Sequence, residues 1–208
     1  MPPGDSGEHS PGPSPRPGRN IVVGGRDQQA AAQVEEEIRG LGVAVRTVLA
    51  DVTRRADIER TLEETVSAFG RADVLVNNAG ACIHKPAAEV TDDEWHAVMN
   101  VNLGGVWIAS QVFGRHMIKS GGGSIINIGS MSGSIVNRPQ WQPAYNASKA
   151  AMHHLTRSLA AEWAPAQVRV NALAAWVHAH GHVAHPRAAV PPILDRGHAT
   201  AARGNRRS

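Results

Sequence analysis

The stretch RADIERTLEETVSAFGRADVLVNNAG, residues 55–80, joins a helical pattern to a strand pattern. In its first half, apolar residues recur every three to four positions, which is the spacing of one helix face: Ile58, Leu62, Val66 and Phe69. The short apolar run at 72–77 then predicts a buried strand that ends in Asn77-Asn78-Ala79-Gly80. A helix that leads directly into a buried strand is typical of a parallel sheet.

The same alternation continues on both sides of this stretch. Short apolar runs predict further strands at 21–24, 43–50, 124–128 and 168–171. Amphipathic patterns predict helices at 27–41, 91–119 and Pro143–Trp163, the second opened by the capping-box pattern Thr91-Asp-Asp-Glu94. Gly104-Gly105 predicts a close backbone approach within that helical region. The chain is therefore predicted to be α/β, with a doubly wound parallel sheet of Rossmann type.

Composition divides the 208 residues into three parts. Residues 1–19 hold six of the 13 prolines and almost no apolar side chains, so we predict a disordered segment. Residues 20–175 form the predicted domain, and residues 176–208 an irregular tail rich in His, Arg and Pro. The tail carries five arginines against one aspartate, whereas the whole chain has a net charge of +3. Because the basicity belongs to the tail, a globular nucleic-acid-binding face is not expected.

Other features limit the class of protein. No run of about 18 apolar residues is present, so no membrane span is expected. The single Cys82 fits a reducing compartment, and a cytoplasmic location is predicted, with Cys82 as a small buried hydrophobe. The motif His178-x-His180-x-His182 with His185 is compatible with metal binding, but biased composition explains it better, and no metal site is predicted.

Polar residues follow the predicted strands at the end where parallel sheets bind ligands. They are Arg26, Asp51-Val52, Asn77–Gly80 and Ser130–Gly133. Ser132, Tyr145 and Lys149 add a Ser-x12-Tyr-x3-Lys pattern. A helix places Tyr145 and Lys149 on one face, where the ammonium favours the phenolate of a tyrosine whose ordinary pKa is about 10. This chemistry suits proton transfer during hydride exchange with a carbonyl, with Ser132 holding the substrate oxygen.

With these motifs, and with Asn102-Leu103 and Val168-Arg-Val-Asn-Ala172, residues 20–174 resemble the NAD(P)-dependent short-chain dehydrogenase/reductase family. The resemblance implies an oxidoreductase that interconverts a secondary alcohol and a ketone. It implies that Asn102 holds a water in a proton relay with Lys149, and that Lys149 also binds the nicotinamide ribose. Asp51 and Val52 are expected to contact adenine, and Asn78, Ala79 and Gly80 to lie along the cofactor.

Two finer expectations concern the ligands. Arg26 after the first strand favours NADP(H) over NAD(H), because an arginine can pair with a 2′-phosphate, although a solvated loop charge is the alternative. Residues 130–145 are similar to family members that act on sugars and polyols. Asn137, Gln140, Trp141 and Gln142 can either face a hydroxylated small-molecule substrate or pack within their loop.

The family pattern is incomplete at both ends, as in a truncated chain. The first strand with its Gly-rich phosphate-binding turn, and the last strand, have no counterpart. Without the central first strand, the strands at 21–24 and 72–77 must pair with each other or leave unpaired edges. The alternative to an enzyme is thus a catalytically inactive fragment that acts as an interaction module. If the chain folds, a homo-oligomer is expected by resemblance.

Overall fold

The computed structural model describes residues 20–136 and 138–174. Strands and helices alternate along them, as predicted. The strands are β1 (Asn20–Gly25), β2 (Ala44–Leu49), β3 (Val74–Asn77), β4 (Gly123–Ile128) and β5 (Val168–Leu173). The helices are α1 (Gln28–Gly40), α2 (Arg55–Phe69), α3 (Asp92–Met99), α4 (Val106–Lys119) and α5 (Pro143–Trp163). The predicted segments 1–19 and 176–208 lie outside the described residues.

Local chemistry sets where several helices begin. The Asp27 carboxylate accepts hydrogen bonds from the first backbone N–H groups of α1, and Thr91 and Glu94 form the predicted capping box on α3. The single helical region predicted at 91–119 is instead two α-helices joined by a π-helical segment, Asn100–Gly105. A Cβ on Gly105 would lie 2.8 Å from Val52 Cγ2, which confirms the predicted close approach at that glycine.

The five described strands form two parallel sheets, which agrees with the predicted α/β class. β1 pairs with β2, and β4 lies between β3 and β5. β1 and β3 do not pair with each other, so the second of the two expected outcomes holds. Within the described residues no strand separates them, and one backbone edge of each lacks a strand partner.

The core lies between the three-stranded sheet and the helices on one of its faces. Ile125, Val168, Met117, Phe113 and Trp163 belong to one buried apolar cluster. Burial of this apolar area is the main stabilising contribution of the core. The same packing sets α4 and α5 against the sheet and so aligns the helices that carry the site.

The other face of β3 corrects the prediction of a buried strand. Val74 and Val76 are 58% and 52% exposed, whereas Leu75 between them packs against the core cluster. Successive side chains of a strand point to opposite faces, and α4 packs on the Leu75 face. A parallel strand that is apolar on both faces expects cover on both. Within the described residues, only one face of β3 has it.

A buried polar network ties the sheet to α4 and α5. Asn77 Nδ2 donates to Asn127 Oδ1 at 2.8 Å and to Ser110 Oγ at 3.2 Å. Asn127 Nδ2 donates to Thr156 Oγ1 at 2.9 Å. Because each buried amide finds a partner, the desolvation cost of the side chains is offset, and the carboxyl ends of β3 and β4 are held in register. None of the described helices is long and apolar enough to span a membrane.

Candidate active site

Tyr145 and Lys149 lie on one face of the first turns of α5, which begins with Pro143 as a helix-compatible first residue. Lys149 is only 4% exposed, and its Nζ lies 5.6 Å from the centroid of the Tyr145 ring. Nζ donates to the carbonyl oxygen of Ile128, at the end of β4, at 2.7 Å. Burial lowers the pKa of Lys149. The structure therefore brings the two predicted residues together with a desolvated amine beside the phenol.

Ser132 lies in the 3-10 turn Met131–Gly133, directly after β4. Its backbone N–H donates to Ser130 Oγ at 3.1 Å, and its hydroxyl oxygen accepts a hydrogen bond from Gln142 Nε2 at 3.3 Å. A Cβ on Gly133 would lie 2.9 Å from the Lys149 carbonyl carbon, so this turn can approach α5 only with glycine there. Ser132 is thus held against the helix that carries Tyr145 and Lys149.

Asn102 is completely buried in the π-helical segment. Its Oδ1 accepts from the Ala81 backbone N–H at 2.8 Å, and its Nδ2 donates to the Ala81 carbonyl and to Ser148 Oγ, both at 2.9 Å. Ser148 Oγ donates in turn to the Tyr145 carbonyl at 2.8 Å. Asn102 therefore joins the loop after β3 to the first turn of α5. Its expected part in a relay with Lys149 stays a prediction.

The predicted cofactor residues lie at the carboxyl ends of the strands. The Arg26 guanidinium is 3.8 Å from Asp51 Oδ2, and Arg26 is otherwise exposed. Asp51 Oδ1 accepts from the Thr53 N–H and hydroxyl at 2.9 and 2.7 Å, and these bonds, followed by the Arg26 charge, lower the pKa of Asp51. Val52 is held by its contact with Gly105. The exposed residues Asn78, Ala79 and Gly80 follow β3, and Gly80 approaches the Asn102 side chain.

This arrangement fits the two ends of a nicotinamide dinucleotide better than its middle. Arg26 and Asp51 offer charged partners for an adenosine ribose, and Lys149 beside Tyr145 offers an ammonium for the other ribose. A pyrophosphate favours the free N–H groups of a helix N-terminus. At α1, which follows Gly24-Gly25, the Asp27 carboxylate already occupies those groups. A dianionic group is therefore not favoured there.

Sequence reasoning missed three features of the site. Cys82 was predicted to be a buried hydrophobe, but it is exposed on the loop after β3 and its thiol donates to Gln142 Oε1 at 3.2 Å. Gln142, an open candidate for substrate contact, is only 5% exposed and directs its amide inward. Asn127 had a readable signal, because it interrupts the apolar strand SIINI, residues 124–128. Asn137 and the histidines at 178–185 lie outside the described residues, among which no group of His, Cys, Asp and Glu suits a metal ion.

Comparisons with known proteins agree with this geometry. A sequence model of the short chain dehydrogenase family matches residues 16–181. The chain is 48% identical over 158 residues to galactitol 2-dehydrogenase of Rhizobium johnstonii, an alignment that covers 76% of this chain and 61% of that protein. The chain thus spans about three fifths of the length of the curated relatives that it matches.

Solved structures show the same similarity. A gluconate 5-dehydrogenase from Burkholderia cenocepacia J2315, in complex with NADP and tartrate, superimposes with a TM-score of 0.69 at 36% identity and covers 74% of this chain and 60% of its own. A NAD+-bound xylitol dehydrogenase gives a TM-score of 0.71 at 31% identity, with 74% and 59% covered. Both similarities extend over the part of the chain that carries the site.

Proposed function

This chain belongs to the short chain dehydrogenase family, and from that premise we propose that it is an NAD(P)-dependent oxidoreductase that interconverts a secondary alcohol and a ketone. The observation that carries the proposal is the buried Lys149 beside the Tyr145 ring, with the Ser132 turn packed against the same helix. An amine and a phenol at this distance form an acid–base pair, and a hydroxyl nearby can hold the reacting oxygen.

Each proposed catalytic residue has one task. Tyr145 exchanges a proton with the substrate oxygen, and Lys149 stabilises the phenolate with its positive charge. Ser132 donates a hydrogen bond to the substrate oxygen. Asn102 holds the loop at Ala81 and, through Ser148, the backbone of Tyr145, and we propose that its remaining acceptor capacity orients a relay water toward Lys149.

The cofactor residues that we propose are Arg26, Asp51, Val52, Asn78, Ala79, Gly80, Tyr145 and Lys149. A nicotinamide cofactor would supply or accept the hydride, and these residues would hold its two ribose ends. The exposed Arg26 supports NADP(H) over NAD(H), because a guanidinium can pair with a 2′-phosphate. Its partner Asp51 orients it from one side and leaves the rest of the guanidinium open to the solvent.

We propose a sugar or polyol as the small-molecule substrate, since relatives named for galactitol and gluconate are among those it resembles. A cytoplasmic location and a homo-oligomeric state belong to the same proposal.

A second candidate rests on a specific observation. β1 and β3 each have an edge without a described strand partner, and the Val74–Val76 face of β3 is half exposed. Unpaired edges and exposed apolar side chains favour association with other chains. The second candidate is therefore a catalytically inactive member of the family that acts as an interaction or oligomerisation module.

One experiment separates the two candidates. The purified chain is titrated with NADPH and with NADH while fluorescence and thermal stability are recorded, and oxidation of galactitol, gluconate and xylitol is then assayed. The enzyme predicts saturable binding, and a loss of about 10²- to 10⁴-fold in kcat/KM for Tyr145→Phe with cofactor binding retained. His154→Ala, at an exposed position of α5, is the matched control and should keep wild-type activity. No binding at millimolar cofactor would support the interaction module.

A further inference from the structure

Gln142 lies directly before α5, and its amide joins three separate segments of the chain. Its Oε1 accepts from the Cys82 thiol on the loop after β3. Its Nε2 lies 3.3 Å from Ser132 Oγ, in the turn after β4, and 3.2 Å from Asn146 Oδ1, in the first turn of α5. An amide that is 5% exposed and has three partners has its polar atoms engaged within the protein.

The partners are consistent with one orientation of the amide. A thiol can donate to Oε1, and the two hydrogens of Nε2 then point to two oxygen acceptors. The loop around Gln142 is fixed as well, since the backbone N–H of Lys85 donates to the Trp141 carbonyl at 2.8 Å. The Lys85 ammonium is itself paired with Glu94 at 3.0 Å. The amide therefore meets Ser132 from a held position.

This contact controls which way the Ser132 hydroxyl donates. Because Ser132 Oγ accepts a proton from Gln142, its own proton is directed to an acceptor other than Gln142. A hydroxyl that accepts one hydrogen bond becomes a stronger donor in another. We propose that Gln142 is a positioning residue that keeps the Ser132 hydroxyl turned as a donor to the substrate oxygen. The inference rests on the proposed function, and it assigns Gln142 no contact with the substrate.

Gln142→Glu tests the inference with almost no change of shape. A carboxylate cannot donate, so the Ser132 hydroxyl would turn its proton toward the new acceptor and away from the substrate. We expect kcat to fall about 10- to 100-fold, with the KM for cofactor unchanged. Acidification that protonates the introduced carboxyl should restore part of the activity, because a carboxylic acid donates again.

Gln142→Ala is the matched comparison, because it removes the donor without adding a titratable group. It should lose activity without any recovery in acid. Asn146→Ala leaves the Gln142–Ser132 contact in place and should keep kcat within about threefold of wild type, because that contact sets the hydroxyl. A wild-type kcat for Gln142→Glu, or equal pH profiles for the Glu and Ala variants, would overturn the inference.

A second pair of variants acts from outside the buried site. Cys82→Ser keeps a donor to Gln142 Oε1 and should retain kcat. Cys82→Ala removes the donor and should lower kcat several-fold, since the amide loses one of its three partners. Cys82 is exposed, so neither change threatens the core. Equal activity of the Ser and Ala variants would count against the proposed hydrogen-bond chain.

Thiol chemistry separates failure of the inference from failure of the proposed function. Cys82 is the single cysteine of the chain, so alkylation by iodoacetamide reports on it alone. At a fixed pH, the carboxylate of Gln142→Glu should slow alkylation at least about threefold, because a nearby negative charge disfavours the thiolate. Slower alkylation without turnover in wild type would reject only the enzyme. Unchanged alkylation would reject the Gln142 geometry whatever the activity.

Discussion

Asn102→Ala gives the strongest test of how the site is assembled. The substitution deletes three hydrogen bonds, two to the backbone of Ala81 and one to Ser148 Oγ. At about 1 kcal/mol for each bond, and with no water able to replace a completely buried amide without rearrangement, we expect a loss of about 3 kcal/mol in the free energy of unfolding. For a domain of this size, that corresponds to a decrease of about 6–12 °C in Tm.

The measurement is urea unfolding of both proteins, monitored by circular dichroism, with Tm from thermal scans. Asn100→Ala is the control, because Asn100 is exposed in the same π-helical segment and its change should stay within about 0.5 kcal/mol. Equal losses for Asn100→Ala and Asn102→Ala would refute the claim that the Asn102 amide joins the β3 loop to α5. A large loss of stability would also require that any loss of activity be measured on folded protein only.

Three more predictions follow from particular contacts. In Gly114→Ala the new Cβ would lie 2.6 Å from Trp163 Cζ3, so we expect unfolding to become easier by about 1–3 kcal/mol, whereas Gly40→Ala, with nothing within 4 Å, should not destabilise; a neutral Gly114→Ala would contradict the packing. Burial, then the charges of Arg157 and Lys149, lower the pKa of His153 below its ordinary value of 6.5, so the unfolded chain takes up the proton first and stability should fall as pH drops through about 6.5. His153→Leu should reduce that fall in urea unfolding between pH 7 and 5, and the exposed His154→Leu should not. Arg26→Ala should weaken NADPH binding about tenfold and leave NADH binding unchanged in fluorescence titrations, and equal effects on both would remove the argument for NADP(H).

Much of the fold was predictable because its signals are local. The three- to four-residue apolar spacing at Ile58, Leu62, Val66 and Phe69 gives α2, and the Thr91-x-x-Glu94 pattern gives the capping box at the start of α3. The four-residue separation of Tyr145 and Lys149 is likewise a property of one helix. Such features depend on residues within one or two turns, so the chain encodes them without reference to its partners.

The misassigned residues depend on contacts distant in sequence. Cys82 looked like a core residue, but its environment is set by Gln142, sixty positions away. Val74 and Val76 have the composition of a strand covered on both faces, yet whether a helix lies on each face is a matter of what else packs there. Periodicity reports which side chains share a face, but not what that face contacts.

By itself, the sequence determined the order and type of the elements and the residues able to carry out acid–base chemistry, because propensity, spacing and side-chain chemistry are written in short stretches. Only the tertiary structure decided that β1 and β3 stay apart, that the Asn102 amide engages Ala81 and Ser148, and that Gln142 donates to Ser132. Hydrogen bonds extend over only about 3 Å. Which groups come within that distance depends on how separate elements pack.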